Sequence, residues 1–258
     1  ISVWYTNIIT SYDKTRILAS NPSTPKLDKL KEEFGIQITQ SNDEACQFAD
    51  AIVLAVKPQM MGDMCADLKQ NNDLTGKLFL SIAAGLPVSR LQEMLGGEYP
   101  VVRIMPNTPS LLGKGMSGMY ADNTVSEDDR TYVDDVMNSV GETVWVEEED
   151  GINGVIAAAG SSPAYFFLFL QAMQEEAINM GFDKAQSRLM VQQAMLGAAE
   201  MVCHNPDLEL SELRAQVTSK GGTTAAAVNT LIDQGLSDIV SKAMRAAVAR
   251  AEEMAKQL

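Results

Sequence analysis

The chain has 258 residues, 46% of them hydrophobic and 21% charged, and a formal net charge of −14 at pH 7. A chain of this length has room for one large domain or two modest ones. The negative charge argues against nucleic acid and against an anionic membrane surface as partners, because both would be repelled. A negatively charged substrate or cofactor would have to be bound by local N–H groups and a few cations.

Cysteine and histidine usage further restricts the chemistry. Cys46, Cys65 and Cys203 are an odd number without paired spacing, which predicts free, buried thiols and a cytoplasmic protein. His204 is the single histidine, so we predict no metal site and interpret it as a surface or capping residue. The longest apolar runs, such as Ala164 to Leu170, are shorter than the roughly 20 residues of a membrane span. We therefore predict no membrane segment.

The first part of the chain alternates short apolar runs with helical patterns, which favours a doubly wound α/β sheet. The run from Asp50 to Val56 is apolar on both faces, so we expect it in the middle of a parallel sheet. The predicted strands are 16–20, 36–39, 50–56, 77–81, 101–105 and 143–146. The predicted helices between them are 24–34, 43–49, 60–69, 88–95 and 126–140.

Three short turns follow the predicted strands. Lys57-Pro58 ends the third strand, Ala83-Ala84-Gly85 follows the fourth, and Met105 to Pro109 follows the fifth. Open α/β sheets bind their ligands at the carboxyl ends of the strands. These turns are therefore candidate ligand contacts.

From Glu147 onward, alanine- and methionine-rich helical patterns replace the strands, over 157–181, 184–203, 211–217, 223–234 and 236–256. We place an α/β domain at 1–149 and a helical domain at 150–258. Phe166, Phe167 and Phe169 lie in one predicted helix. Five helices packed only against one another would leave part of such broad apolar faces exposed to solvent. The helical domain is therefore expected to associate with a second copy of itself. The acidic run 147–150 is interpreted as the solvated start of a helix.

The segment from Val217 to Ala227, Val-Thr-Ser-Lys-Gly-Gly-Thr-Thr-Ala-Ala-Ala, predicts a small anion site. Gly221 and Gly222 allow positive φ and a close approach of the backbone to a ligand. Thr223 and Thr224 can open a helix, whose free N–H groups would point at a bound carboxylate. The alternative interpretation is a helix-capping turn with an ordinary Ser/Thr cap.

Five segments resemble the successive signatures of the pyrroline-5-carboxylate reductase family, in that family's order. They are Val56-Lys57-Pro58, Ala83-Ala84-Gly85, Val102 to Pro109, Gly160 to Tyr165 and Val217 to Thr224. The resemblance implies a Rossmann-type doubly wound sheet that binds NAD(P)H, followed by an all-α dimerisation domain that intertwines with its partner. The assembly it implies is this dimer or a ring of such dimers, and the reaction it implies is the reduction of 1-pyrroline-5-carboxylate to L-proline, the last step of proline biosynthesis.

The resemblance also implies roles for particular residues. The substrate carboxylate would be bound by Ser219, Gly221, Gly222 and Thr223, and the ring nitrogen by Thr224, the expected catalytic residue. The cofactor would be contacted at the strand ends by Asn21, Ser23, Val56, Lys57, Pro58, Ala83, Ala84, Pro106 and Asn107. Hydride transfer to a protonated imine needs no strong base, which suits a site of N–H groups and hydroxyls without histidine or a metal.

The coenzyme preference depends on the stretch Ser20-Asn21-Pro22-Ser23, at the end of the strand predicted at 16–20. An acid that would bind the 2′ and 3′ hydroxyls of NAD is missing there. Neutral donors with Lys26 nearby can accommodate a 2′-phosphate, so NADPH is expected over NADH.

The first 15 residues depart from the family pattern. They contain no glycine, whereas the family opens with a strand and a Gly-x-Gly-x-x-Gly-like turn. Either part of the true N-terminus is missing, or the phosphate loop is lost and cofactor affinity is badly reduced. In the second case a non-catalytic nucleotide-binding protein is the alternative. Another alternative is a β-hydroxyacid-type dehydrogenase, which would be expected to carry a catalytic lysine within 163–181, where the sequence has none.

Overall fold

A computed structural model of the chain describes residues 12–257. The predictions for residues 1–11, including the absent glycine-rich turn, lie outside the described residues. The chain packs as two compact units: residues 12–163 together with 246–257 form the first, and Ala164–Arg245 forms the second. The last strand ends at Trp145, so the change from strands to helices comes before the boundary between the units.

The strands of the first unit form two sheets. β1 (Leu18–Ser20) and β2 (Gln37–Thr39) pair in parallel as a two-stranded sheet. The larger sheet has the order β3-β4-β5-β6-β7. Its strands are β3 (Ala51–Leu54), β4 (Leu78–Ser81), β5 (Val101–Met105), β6 (Gly115–Ala121) and β7 (Gly141–Trp145). Every pair in it is parallel except β5 with β6, an antiparallel pair that the sequence patterns did not predict.

Helices follow the strands in the predicted alternation, with local signals at their ends. They are α1 (Thr24–Phe34), α2 (Asn42–Phe48), α3 (Pro58–Asn71), α4 (Val88–Leu95), α5 (Glu127–Asn138) and the short α6 (Gly151–Val155). The side chains of Ser41 and Ser126 accept hydrogen bonds from the third backbone N–H of α2 and α5. Gly35 and Gly96 end α1 and α4 in the left-handed conformation that favours glycine.

Apolar side chains cover both faces of the larger sheet, as a doubly wound sheet requires. Phe79 and Val101 point to one face and pack in a core with Leu91 of α4. Leu80 and Val102, their neighbours in sequence, point to the other face and pack in a separate core that includes residues of α5. Because successive strand residues alternate between faces, this arrangement explains the continuous apolar runs in β4 and β5.

Among the described residues β3 has one neighbour in its sheet, β4, so the placement of the run from Asp50 to Val56 in the middle of a sheet stays a prediction. Val53 of β3 is 40% exposed. A largely apolar cavity of about 270 Å³ is lined by residues of both β1 and β3. Consecutive residues of β3, which alternate between its two faces, all line this cavity.

The second unit is helical. The predicted helix over 157–181 is interrupted: a π-helical segment, Ile156–Gly160, separates α6 from α7 (Ser162–Asn179). The remaining helices are α8 (Lys184–Cys203), α9 (Leu210–Gln216), α10 (Thr223–Asp233) and α11 (Leu236–Gln257), close to their predicted bounds. α7 and α11 begin or end in the first unit. Large apolar side chains on α7 are exposed, including Phe167 at 66% and Leu168 at 69%.

The helical stretch Gly151–Asn179 is long and apolar enough to cross a membrane by length and composition, with a mean hydropathy of 1.4 over its most apolar window. The expectation from the sequence rests on uninterrupted apolar runs only, and Ser161 and Ser162 interrupt this stretch, so the two criteria give different results here. One such helix in the described residues is weak evidence for a membrane span, since core helices of soluble proteins meet the same criterion.

Candidate active site

The carboxyl ends of β3, β4 and β5 lie at the same edge of the larger sheet. The three strands are parallel, and Leu54 pairs with Ser81, which in turn pairs with Arg103. The turns that follow them carry the predicted cofactor residues Val56, Lys57, Pro58, Ala83, Ala84, Pro106 and Asn107. The fold therefore brings these sequence-distant residues to one edge, where α/β sheets bind ligands.

The first of these turns leads into α3 without a side-chain cap. Lys57 is the N-cap residue, its side chain is exposed, and Pro58 occupies the first helical position. In this first turn Pro58 has no N–H and the N–H of Met60 donates to the Lys57 carbonyl at 2.9 Å, so within the described residues the N–H of Gln59 is left to donate to an anionic or polar ligand atom. In the second turn Ala83 is buried and Ala84 is half-buried, so Ala84 presents a methyl group at this edge.

Asn107 holds the third turn in place. Its Oδ1 accepts a hydrogen bond of 2.9 Å from the N–H of Met116, and its Nδ2 donates one of 3.0 Å to the carbonyl of Ala159. Ala159 lies in the π-helical segment, whose wider turn leaves this carbonyl accessible to side chains. The Asn107 side chain is 7% exposed and bonded on both sides, so it positions the turn between β5 and β6.

A single carboxylate oxygen connects two of the three turns. Glu149 Oε1 accepts 2.9 Å hydrogen bonds from Arg103 Nη1 and from the N–H of Val88. The interpretation of 147–150 as a solvated helix start is therefore wrong for Glu149, although Glu147 and Glu148 are exposed. Opposite Arg103, Tyr120 has its pKa raised above the ordinary value by burial and further by the Glu149 carboxylate. The sequence patterns did not predict this contact, although Arg103, a cation within an apolar strand, is a signal that could have predicted a buried acidic partner.

Asn21 and Ser23 meet at the end of β1. Asn21 Oδ1 accepts hydrogen bonds of 3.0 Å from both the N–H and the Oγ of Ser23. This turn leads into α1, whose N-cap residue Ser23 makes no side-chain cap and whose first turn holds no acid. The Asn21 amide donors and the free N–H groups of α1 therefore form a polar cluster beside the exposed Lys26.

The segment Ser219 to Thr224 forms the predicted turn and helix start in the second unit. The N–H of Gly222 donates to the carbonyl of Ser219 at 3.0 Å, and Gly221 has φ of 76° at the third position of this turn. A turn with positive φ at its third residue requires glycine there. Gly222 differs from the expectation: its φ is −82°, and it is the N-cap residue of α10.

The start of α10 exposes hydrogen-bond donors. Within the described residues, the N–H groups of Thr223, Thr224 and Ala225 make no backbone hydrogen bond, and Gly222 supplies no side-chain cap. The first turn of α10 contains no acidic residue. Ser219, Thr223 and Thr224 are exposed, so their hydroxyls are accessible on the same segment. The alternative of an ordinary Ser/Thr cap is therefore wrong for this helix.

The histidine and the cysteines lie apart from these clusters. His204 ends α8, and its Nδ1 lies 2.8 Å from the Glu200 carbonyl, which confirms the capping interpretation. Cys65 is buried, and burial raises the pKa of its thiol to about 11. Cys46 is buried too, but Cys203 is exposed, which corrects its predicted burial. Within the described residues, no group of three or more His, Cys, Asp or Glu side chains could hold a metal ion.

Family models match both the α/β part and the helical part of the chain. Residues 149–254 match the family model for pyrroline-5-carboxylate reductase dimerisation, and residues 6–85 match the model described as NADP oxidoreductase, coenzyme F420-dependent. The pyrroline-5-carboxylate reductase of Vibrio alginolyticus is 56% identical to this chain, over 96% of this chain and 91% of its own length.

Solved structures of pyrroline-5-carboxylate reductases are also similar to this chain. A pyrroline-5-carboxylate reductase from Coxiella burnetii matches with a TM-score of 0.92 at 38% identity, covering 98% of this chain and 95% of that chain. A Plasmodium falciparum pyrroline carboxylate reductase with NADP bound matches with a TM-score of 0.83 at 29% identity, covering 98% and 93% of the two chains. These matches confirm the expected Rossmann-like domain followed by a helical domain. With 56% identity over most of its length to a named reductase, this NAD(P)H-dependent oxidoreductase belongs to the pyrroline-5-carboxylate reductase family.

Proposed function

We propose that the chain reduces 1-pyrroline-5-carboxylate to L-proline and that the substrate carboxylate binds at the start of α10. The observation that supports this most directly is that the N–H groups of Thr223, Thr224 and Ala225, which follow the turn at Gly221, make no backbone hydrogen bond and have no side-chain cap. These donors and the positive end of the helix dipole favour an anion. Because the chain carries a net charge of −14, such local donors are needed to bind a negatively charged substrate.

The reaction requires little acid–base chemistry from the protein. When bound, NAD(P)H supplies a hydride, which a protonated imine carbon can accept without an enzymic base. The chain's residues then bind and orient the substrate. In this proposal Ser219, Gly221, Gly222 and Thr223 bind the carboxylate, while the exposed Thr224 hydroxyl binds the ring nitrogen. Holding the reacting atoms in line supplies much of the rate acceleration.

Removal of the Thr224 hydroxyl tests the role of this residue. We expect Thr224→Ala to lower kcat about 10- to 100-fold, the loss expected for one hydrogen bond to a charged group. Thr230→Ala is the matched control, because the Thr230 hydroxyl lies on the same helix but donates to the Ala226 carbonyl at 2.9 Å. Steady-state kinetics of both variants with 1-pyrroline-5-carboxylate give the measurement. Equal turnover in the two variants would contradict the role of Thr224.

The turns at the sheet edge fit a nicotinamide cofactor. This edge carries the small side chains of Ala83 and Ala84, and the N–H of Gln59 at the start of α3, where no side chain caps the helix. In our proposal Val56 to Pro58, Ala83, Ala84 and Pro106 contact the nicotinamide ribose and ring. Asn107 holds the turn that contains Pro106 in position, since both ends of its amide are hydrogen-bonded within the protein.

The start of α1 favours NADPH over NADH. Asn21 Oδ1 is occupied by Ser23, so the amide donors of Asn21 remain for an anion. The first turn of α1 carries no acid, and Lys26 is exposed within it. A carboxylate that would select the 2′-hydroxyl of NADH is missing, while donors and a cation suit the 2′-phosphate.

Lysine substitutions on α1 test this preference. We expect Lys26→Ala to raise the KM for NADPH about 5- to 10-fold, the loss of one exposed charge contact to phosphate, and to leave the KM for NADH unchanged. Lys29→Ala removes an exposed lysine one turn further along the same helix and should change neither value. The wild-type chain should also show a higher kcat/KM with NADPH, and equal efficiency with both coenzymes would refute the preference.

The helical unit mediates self-association. The family region for dimerisation covers all of it, and α7 exposes large apolar side chains. We propose an intertwined dimer, with rings of such dimers as the larger assembly, in the cytoplasm and without contact to membrane or nucleic acid. The exposed apolar face of Gly151–Asn179 is then covered by a second copy of the chain. Light scattering of the purified protein should give an even multiple of the chain mass, and a monomer would contradict this assembly.

A further inference from the structure

We infer that Glu149 and Arg103 are positioning residues that hold two cofactor turns in a fixed relation to each other. This inference rests on the proposed binding of the nicotinamide at those turns. Glu149 lies after β7, far in sequence from either turn, yet one of its oxygens contacts both structural elements that carry them. The pair would act on hydride transfer through the position of the cofactor, without touching the reacting atoms.

Arg103 anchors the first element. It lies in β5, two residues before Met105, where the turn to Pro106 begins, and its side chain is 8% exposed. A guanidinium buried to this degree needs a charged partner, because leaving it unpaired carries a large desolvation cost. Glu149, with its side chain 23% exposed, is that partner at 2.9 Å. The ion pair therefore fixes the end of β5 relative to the segment after β7.

Val88 anchors the second element. It is the first residue of α4, which directly follows the turn containing Ala83 and Ala84. The N-cap residue of α4 is Pro87, which has no side-chain acceptor, and the first turn of α4 contains no acid. The Glu149 carboxylate supplies the missing cap from 61 residues away. A carboxylate at a helix N-terminus is favoured both by the free N–H and by the helix dipole.

A second hydrogen bond links the segment after Glu149 to the turn that follows β5. The segment that follows Glu149 runs through α6 into the π-helical turn, where the Ala159 carbonyl accepts the Asn107 amide. Asn107 belongs to the same turn that Arg103 precedes. The chain from Glu149 to Ala159 is thus bonded at both ends to β5 and its turn. A supporting residue that is hydrogen-bonded on both sides keeps the groups it supports in a fixed position. This matters because a small displacement of the reacting atoms strongly lowers the rate of the catalysed step.

Substitution of Glu149 distinguishes a role in positioning the cofactor turns from a role only in stabilising the fold. Glu149→Gln keeps an acceptor but removes the charge that pairs with Arg103. We expect the KM for NADPH to rise about fivefold and kcat to fall about tenfold, while the KM for 1-pyrroline-5-carboxylate changes less than about twofold. Glu148→Gln is the matched control: Glu148 is the adjacent acid and is exposed, and all its kinetic values should equal those of the wild type.

A double variant keeps the test decisive if Glu149→Gln folds poorly. Arg103→Met with Glu149→Leu replaces the buried pair by apolar side chains of similar length, a change that is often neutral for stability. We expect a melting temperature near that of the wild type together with the same kinetic defect. Wild-type kcat and KM in this variant, or in a folded Glu149→Gln variant, would overturn the inference.

Ala84→Leu distinguishes failure of the inference from failure of the proposed cofactor site. A leucine at this half-buried position would fill the space assigned to the nicotinamide. It should raise the KM for NADPH at least about tenfold by steric exclusion. If Ala84→Leu has this effect and the Glu149 variants have none, only the inference fails. If Ala84→Leu also leaves the KM unchanged, the cofactor does not bind at this turn, and both statements fail.

Discussion

Gly222→Val should leave the protein folded and abolish measurable binding of 1-pyrroline-5-carboxylate. The backbone at Gly222 has φ of −82°, which valine adopts without strain, so the turn itself can persist. A Cβ at this position would lie 2.6 Å from Ser219 Oγ and would displace that hydroxyl. The valine methyl groups would also occupy the space over the N–H groups of Thr224 and Ala225, where an N-cap side chain normally lies.

The expected loss in substrate affinity exceeds about 100-fold, because at least two hydrogen bonds to a charged carboxylate are lost together. Isothermal titration with substrate gives the affinity, and the melting temperature and the KM for NADPH serve as checks on the fold. Gly197→Val is the matched control: Gly197 lies in α8 of the same unit, and a Cβ added there meets no atom within 4 Å. Substrate affinity within a factor of a few of the wild type in Gly222→Val would contradict the carboxylate site.

Gly222→Asp provides an independent version of the same test. Aspartate is a favourable N-cap residue, and its own carboxylate would bind the free N–H groups of α10. The variant should therefore melt at or above the wild-type temperature and still fail to bind substrate. A variant that is at least as stable but inactive cannot be explained by unfolding of the second unit.

Phe167→Asp should convert the protein to a monomer. Phe167 is 66% exposed on α7, next to Leu168 at 69%, in the region that matches the family's dimerisation model. An aspartate there would have to be buried without a partner when two copies associate, which costs several kcal/mol. We expect the dimer dissociation constant to rise at least about 1,000-fold, equivalent to about 4 kcal/mol.

Light scattering across a concentration series measures this change. Lys29→Glu is the control, because it also makes the chain more negative, on an exposed position of α1 in the first unit. The control should remain self-associated. An unchanged mass for Phe167→Asp would show that this face of α7 is not covered by a second copy, and the exposed apolar helix would then need another explanation.

Local patterns predicted most of the elements of this fold. Helices such as α1, α4 and α8 match their predicted bounds, because caps, left-handed glycines and apolar spacing lie within a few residues of each other in sequence. The alternation of strands and helices then predicted a doubly wound sheet. The candidate site followed from the same logic: turns after parallel strands converge at one edge, whatever their distance in sequence.

Features that depend on pairing between distant residues were missed. The antiparallel strand β6 reads as a glycine-rich stretch, and its role depends on its pairing with β5. The conformation of Gly222 could not be separated from that of Gly221, since either glycine can adopt positive φ. The contact of Glu149 with Arg103 and Val88 joins residues 46 and 61 positions apart, and an acidic run at a helix start gives no sign that one member is bonded inside.

The central claim is that this chain reduces 1-pyrroline-5-carboxylate to L-proline, with the substrate carboxylate bound at the start of α10. The most direct test is the oxidation of NADPH by the purified protein with 1-pyrroline-5-carboxylate, with the L-proline formed measured in the same reaction and the intact mass of the protein determined beforehand. We predict one proline for each NADPH oxidised, with turnover lost in Gly222→Val and retained in Gly197→Val. A folded protein that binds NADPH but forms no proline would contradict the account.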